Sequence, residues 1–267
     1  MTSLIRFSSL GDVVLAGAVA SALGDVCFLT NPRYAGLVAR FDGVRQVCTD
    51  ASRLPEGPVY DLHNNLRSRR VRARRRVKHH RFQRWQQVAL KRPRLVPSVL
   101  ERYGTAAGVV PAEAPWVVIE RTGGALGMAA GASVPTKVWP HFAALAKAWD
   151  GPVVSIGLPG EGVEGTQTVL ESGFEATLEA LGRCSVFVGG DTGLSHLAHA
   201  CGIPTLVLFG PTGPLDGFWR GPLVSLQLPC QPCSRHGRPV CPIGDHACLH
   251  DLPVEAVLRS LRELTHA

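Results

Sequence analysis

The chain of 267 residues carries 45% hydrophobic residues, 29 Gly, 20 Pro and a formal net charge of +7. That is enough sequence for one large domain or two small ones, each with its own core. Its longest apolar runs, such as VVLAGAVASAL, are too short to span a membrane. The N-terminus lacks a secretory signal's basic start and cleavage site, so a cytoplasmic protein is expected.

In chain order, strand-like runs alternate with helical ones, the pattern of parallel sheets joined by crossover helices. SLIRF (3–7) reads as a strand, followed after a Ser-Ser-Leu-Gly turn by a helix over 12–23. Strands are expected at 26–30, 44–48 and 59–63, with a helix near 32–40. Residues 64–104 break the alternation and read as mostly helical, because Phe82, Trp85, Val88 and Ala89 recur at helical spacing. GVVPAEAPWVVIE has the look of a linker running into a strand at 116–120. Beyond it the spacing predicts helices over 139–149, 174–182, 192–201 and 253–265, and strands at 152–158, 185–190 and 205–210. Two nucleotide-binding-like α/β halves, 1–115 and 116–267, with a cleft between them are therefore expected, with ligands at the C-terminal strand ends.

The charge is concentrated. Thirteen Lys and Arg lie between Arg67 and Arg94, no acidic residue occurs from Leu62 to Leu100, and the rest of the chain is net acidic. A basic, partly amphipathic segment suits an anionic surface. A solvated charged face is the alternative.

Four short stretches carry candidate chemistry. SSLGD places Ser8, Ser9 and Gly11 in the first strand-to-helix turn, where backbone N–H groups can meet an anion, and puts Asp12 at the helix start, as a cap or as a general base. GASVPTKVWP joins Ser133, Thr136 and Lys137 ahead of a helix, and the Lys can neutralise a phosphate as a point charge. SIGLPGE ends a strand at Glu161, either a solvated loop carboxylate or an acceptor for ribose hydroxyls. DTGLSH puts Asp191, Thr192, Gly193, Ser195 and His196 at the start of a helix. One cap oxygen would suffice there, and the surplus suits an anion at the positive end of the helix dipole.

IRFSSLGDVVLAGAVASAL, YDLHNNLRSRR, GASVPTKVWPHFAALA, GLPGE and VFVGGDTGLSHLAHACGIPTLVLFGPTGP together resemble glycosyltransferase family 9, the bacterial lipopolysaccharide heptosyltransferases. The resemblance implies a GT-B fold of two Rossmann-like domains facing across a cleft, with acceptor side 1–115 and donor side 116–267. It implies an inverting transfer of heptose from a nucleotide diphosphate sugar, ADP-heptose in the first instance, to a lipopolysaccharide inner-core acceptor, with no metal required for catalysis. By the same resemblance Asp12 is the catalytic base and Lys137 neutralises the leaving diphosphate. Ser9, Gly11, Ser133, Asp191, Thr192, Gly193 and His196 line the donor, and Glu161 holds its ribose. The N-terminal half is short for an acceptor domain, and the basic run stands where length is missing. Arg67, Arg74, Arg75 and Arg76 are therefore assigned to an anionic glycolipid acceptor or to the inner face of the cytoplasmic membrane. No nucleic acid is expected as a partner.

Cys230, Cys233, Cys241 and Cys248 follow a C-x2-C-x7-C-x6-C spacing, with His236, His246 and His250 nearby. In a cytosolic chain this suits one structural zinc or a set of reduced thiols. Cys27, Cys48, Cys184 and Cys201 read as small buried hydrophobes. Two other functions fit parts of the sequence: a nucleic-acid-binding protein using the basic segment and a zinc knuckle, which leaves the SSLGD and DTGLSH turns unexplained, and a family member that binds without transferring.

Overall fold

A computed structural model describes residues 1–79, 85, 89, 97–170, 173–214, 219 and 221–266. It forms two compact units. The first comprises Met1–His79, Pro97–Ile119 and His199–Gly202; the described remainder makes the second.

The first unit is built on five parallel strands: β1 (Thr2–Ile5), β2 (Val26–Leu29), β3 (Val44–Cys48), β4 (Val59–Asp61) and β5 (Arg75–Arg76), in the order β3-β2-β1-β4-β5. Helix α1 (Leu10–Leu23) is buried without interruption from Val13 to Ala20, as expected of a helix apolar on all sides. A short α2 (Ala35–Val38) precedes β3. Helix α3 (Val99–Ala107) starts at a capping box in which Glu101 N donates to Ser98 Oγ at 3.0 Å and Ser98 N donates to the Glu101 carboxylate.

The second unit holds six parallel strands: β6 (Ala125–Ala129), β7 (Val153–Gly157), β8 (Gln167–Leu170), β9 (Cys184–Gly190), β10 (Thr205–Leu208) and β11 (Leu223–Val224), ordered β11-β10-β9-β6-β7-β8. Its helices are α4 (Phe142–Ala148), α5 (Phe174–Gly182), α6 (Gly193–Ala200), α7 (Ala247–His250) and α8 (Val254–His266). Val257 and Leu261 of α8 join Leu126, Met128, Val188 and Leu206 in one core. Both strand orders are doubly wound, with the order reversing beside the first strand of each sheet, at β1/β4 and at β6/β9. Among the described residues no helix is long and apolar enough to cross a membrane.

Two expectations change. The strand expected at 116–120 is absent. Trp116 and Val117 are buried in the first unit, where Trp116 Nε1 donates to Val14 O at 2.9 Å and Phe41 forms an isolated bridge with Val117. The strand that opens the second sheet is instead β6, of sequence ALGMA, where Gly127 lies so close to Phe187 and Cys184 that a Cβ would come within 2.6 and 2.8 Å of them. Residues 64–79 are not helical. They hold a 3-10 turn at Ser68–Arg70 and the edge strand β5, because the buried Asp61 carboxylate gathers His63 N, Asn64 N, Ser68 Oγ and Arg76 around it. Phe82 and Val88, on which the helical spacing partly rests, lie outside the described residues.

Candidate functional site

In the first unit the chain leaves β1 through Arg6, Phe7, Ser8 and Ser9 into α1, at the reversal of strand order. Asp12 is held from two directions. Its Oδ1 accepts from Arg6 Nη2 at 2.8 Å and from the Tyr103 hydroxyl of α3 at 2.9 Å. Its Oδ2 accepts from Ser9 Oγ at 2.8 Å and, more loosely, from Ser9 N at 3.4 Å. Burial pushes the Asp12 carboxyl up, but Arg6 and the hydrogen bonds from Ser9 and Tyr103 outweigh it and leave the group below the usual carboxylate range. Tyr103 moves the opposite way, well above its ordinary value, through burial and the Asp12 charge. Asp12 is thus an ionised carboxylate at neutral pH, still 15% exposed, while Gly11 is buried in the first turn of α1.

Beside it, at the end of β4, His63 Nδ1 accepts from Phe7 N at 3.1 Å, which places the ring proton on Nε2. Burial, then the Arg6 charge, push the imidazole down to about 4. Arg6, Tyr103 and His63 are neighbours of the candidate base that motif reading misses. Arg6 sits inside the quoted IRFSSLGD stretch, whereas Tyr103 is 91 residues from Asp12 and reaches it only through the packing of α3.

In the second unit Lys137 and Asp191 meet. Lys137 comes from a 3-10 turn (Pro135–Lys137) after β6, and Asp191 from the end of β9. Lys137 Nζ lies 3.2 Å from Asp191 Oδ2 and also donates to Asp191 O, and Thr212 Oγ1 donates to the same Oδ2 at 2.9 Å. Thr192 Oγ1, just before α6, is buried with no hydrogen-bond partner among the described residues. Ser195 Oγ donates to Gly190 O at 2.7 Å and ties the first turn of α6 to the strand end. His196 is buried edge-on to Trp219, with ring centroids 5.7 Å apart, and Gly193 opens the helix. Glu161 Oε2 accepts from Leu158 N at 2.8 Å, and its carboxyl lies where a Cβ on Gly131 would be. The Glu161 turn therefore sits directly on the backbone leaving β6. Ser133 is exposed in that same segment.

The described part of the basic run divides. Arg76 turns inward: it pairs with Asp61, and its Nη2 donates to Val71 O at 2.8 Å, so it is structural rather than a surface cation. Arg67 stacks on the Phe7 ring with its Cζ 4.1 Å from the centroid. Arg74 and Arg75 are exposed. All eight cysteines are unbridged. Cys230, Cys233, Cys241 and Cys248 line one small pocket together with Thr136 and Pro211. Cys241 is pushed down by backbone N–H groups around it, that of Ile243 foremost, and Cys248 is pushed up to about 11, first by burial and then by the other three thiols. Among the described residues no three His, Cys, Asp or Glu side chains converge as a metal-ligand set.

The His63 environment makes a pH-dependent contribution to stability. The unfolded chain takes up a proton near pH 6.5 that folded His63 refuses until about 4, so stability falls as pH drops through that window. The partly exposed ring limits the loss to about 1–2 kcal/mol. His63→Gln should flatten the slope of the denaturation midpoint between pH 6.5 and 4. A variant with the wild-type slope would show that His63 does not titrate as described. His199, pushed down by burial, adds a slope of the same sign to both proteins and cancels in the comparison.

Residues 118–235 match the model of glycosyltransferase family 9 (heptosyltransferase). Lipooligosaccharide heptosyltransferase 2 of Campylobacter jejuni is 33% identical over 86 residues, which are 31% of this chain and 26% of that protein. The match thus spans about a quarter of that relative's length. Among solved structures, Escherichia coli ADP-heptose lps heptosyltransferase II superposes with a TM-score of 0.72 at 18% identity, covering 99% of this chain and 98% of that one. The iron-containing dodecameric glycosyltransferase TibC of enterotoxigenic E. coli gives 0.68 at 17% identity, covering 99% and 76%. It is also known in complex with ADP-D-β-D-heptose. The two-unit α/β architecture is the GT-B fold of these neighbours, and the stretch 118–235 is the part of the chain that is similar to glycosyltransferase family 9.

Proposed function

We propose that the protein is an inverting heptosyltransferase that moves heptose from ADP-heptose to a lipopolysaccharide inner-core acceptor. The observation that carries it is the Lys137–Asp191–Thr212 cluster at the start of α6, where a cation, a helix N-terminus and the unpartnered Thr192 hydroxyl coincide. Heptosyltransferase relatives and a neighbour bound to ADP-D-β-D-heptose support the donor and acceptor classes. The acceptor hydroxyl oxygen attacks C1 of the sugar from the face opposite the diphosphate. The bond from C1 to the phosphate oxygen breaks, the nucleoside diphosphate leaves, and the hydroxyl proton passes to the Asp12 carboxylate. Lys137 and the helix dipole stabilise the charge that develops on the departing phosphate. Glu161 accepts from the ribose hydroxyls, with Ser133 and His196 as further donor-site residues.

Asp12→Asn keeps the size and the acceptor oxygen of the side chain but cannot take the proton. Transfer should drop by at least about 100-fold, while ADP affinity changes less than threefold. Activity within a few-fold of wild type, followed as ADP release, would remove Asp12 as the base.

The exposed arginines Arg67, Arg74 and Arg75 support docking at an anionic membrane surface. Each cation near such a surface contributes about 1 kcal/mol, screened by salt. Arg74→Glu with Arg75→Glu should abolish binding to vesicles containing acidic lipid while leaving the Asp61–Arg76 pair intact. Equal binding of the wild type to neutral and acidic vesicles would rule the membrane role out.

The C-x2-C spacing of Cys230 and Cys233, with Cys241 and Cys248 lining the same pocket, is what motivates a thiolate-held structural metal, zinc by preference for closed thiol sites. As the side chains stand they do not converge as a ligand set, so binding would require them to close around the ion. Untagged protein should carry about one metal ion per chain, and Cys233→Ser should lose it together with thermal stability. Metal-free protein of unchanged stability would leave the four as reduced thiols.

A further inference from the structure

The segment 230–248 touches both halves of the Lys137–Asp191 cluster. On the Lys137 side the contact is Thr136, which is buried and lines the cysteine pocket. Its Oγ1 donates to Arg238 O at 2.6 Å and accepts from Arg238 N at 3.0 Å, and its carbonyl accepts from His246 Nε2 at 2.7 Å. Next to Arg238, Gly237 adopts φ +82° and lies against the Lys137 stem. A Cβ there would come within 2.4 Å of Val134 Cγ2 and 2.9 Å of Lys137 Cγ. On the Asp191 side, Cys233 N and Ser234 N both donate to Pro211 O at 3.0 Å. The next residue, Thr212, supplies the hydroxyl on Asp191 Oδ2. Ser234 Oγ donates to Gly237 O at 2.9 Å, joining the two sides within one short loop.

We propose that the loop 230–248 is a brace for the donor diphosphate site, and that Thr136 is the positioning residue through which it sets the place of Lys137. The inference rests on the assignment of Lys137 and Asp191 to the donor diphosphate made above. Lys137 has four rotatable side-chain bonds. The ion pair with Asp191 holds its ammonium end, and the fixed backbone turn and crowded stem hold the other end, so that the direction from which the ammonium is presented is set before a ligand arrives. The hydroxyl of Thr136 and the bare backbone of Gly237 remove most of the freedom in advance.

A double-mutant cycle on the full chain, read as the dissociation constant for ADP by calorimetry, tests this. Thr136→Val should weaken ADP about tenfold and Thr136→Ser should restore it. Lys137→Met should weaken ADP at least as much, and adding Thr136→Val to it should cost nothing further. Gly237→Ala, which presses on the Lys137 stem without touching Thr136, should weaken ADP in the wild-type background and not in Lys137→Met. It serves equally if Thr136→Val does not fold. Unchanged affinity in both Thr136→Val and Gly237→Ala, or losses that simply add to that of Lys137→Met, would overturn the brace while leaving the donor site standing. ADP bound equally well by Lys137→Met would remove the donor site itself, and the brace with it.

Discussion

Strand order reverses beside β1 in one sheet and beside β6 in the other, and at each reversal two chain segments leave the sheet in opposite directions. The gap they open is where the candidate site residues of this protein collect. At the first, Arg6 and Asp12 follow β1, while His63 follows β4. At the second, Lys137 follows β6 and Asp191 follows β9. Neither group could sit in the middle of its sheet, where β1 and β2 in one and β6, β7, β9 and β10 in the other are almost wholly buried. Placement of the chemistry is thus a consequence of topology, and the identity of the side chains decides what that chemistry is.

The two clusters solve opposite electrostatic problems. Lys137 and Asp191, 3.2 Å apart and only 11% and 19% exposed, attract each other by about 5 kcal/mol at an effective dielectric near 20, and desolvation offsets most of that. What remains is orientation: the ammonium is held at the start of α6 beside a helix dipole of the same sign, a combination that favours an incoming anion. Asp12 is the reverse case. Arg6, Ser9 and Tyr103 surround the carboxylate and keep it ionised against the upward push of burial.

Much of this order is readable in the residues. Fully buried parallel strands such as VCFL and CSVFVGG announce themselves as apolar runs, and α1 as a long apolar segment behind a capped turn. The ALGMA strand does not. It has no β-branched residue, its Gly is demanded by the close approach of Phe187 and Cys184, and WVVIE nearby offers a stronger strand-like pattern that packs in the other unit instead. Basic residues over 64–79 suggested a helix because charge and spacing say nothing about a buried Asp61 that draws the backbone into a loop around itself. The same division holds at the site. Ser9 with Asp12, and Lys137 and Asp191 each in its own turn, lie in local motifs. Tyr103 on Asp12 and Thr212 on Asp191 are tertiary meetings across 91 and 21 residues that no local pattern encodes.

Depressing the proton affinity of Asp12 has a chemical cost and a chemical use. A weaker base abstracts a proton less readily from a resting alcohol. But an acceptor hydroxyl becomes acidic only as its oxygen bonds to C1, and by then the diphosphate is already departing. In the proposed transfer, a carboxylate held ionised by Arg6 and Tyr103 would be available at neutral pH and would take the proton late, when little basicity is needed. The demanding step would then be the departure of the phosphate. On that proposal most of the barrier lowering falls to the second unit, where Lys137, Thr192 and the first turn of α6 would meet the charge that the leaving group acquires.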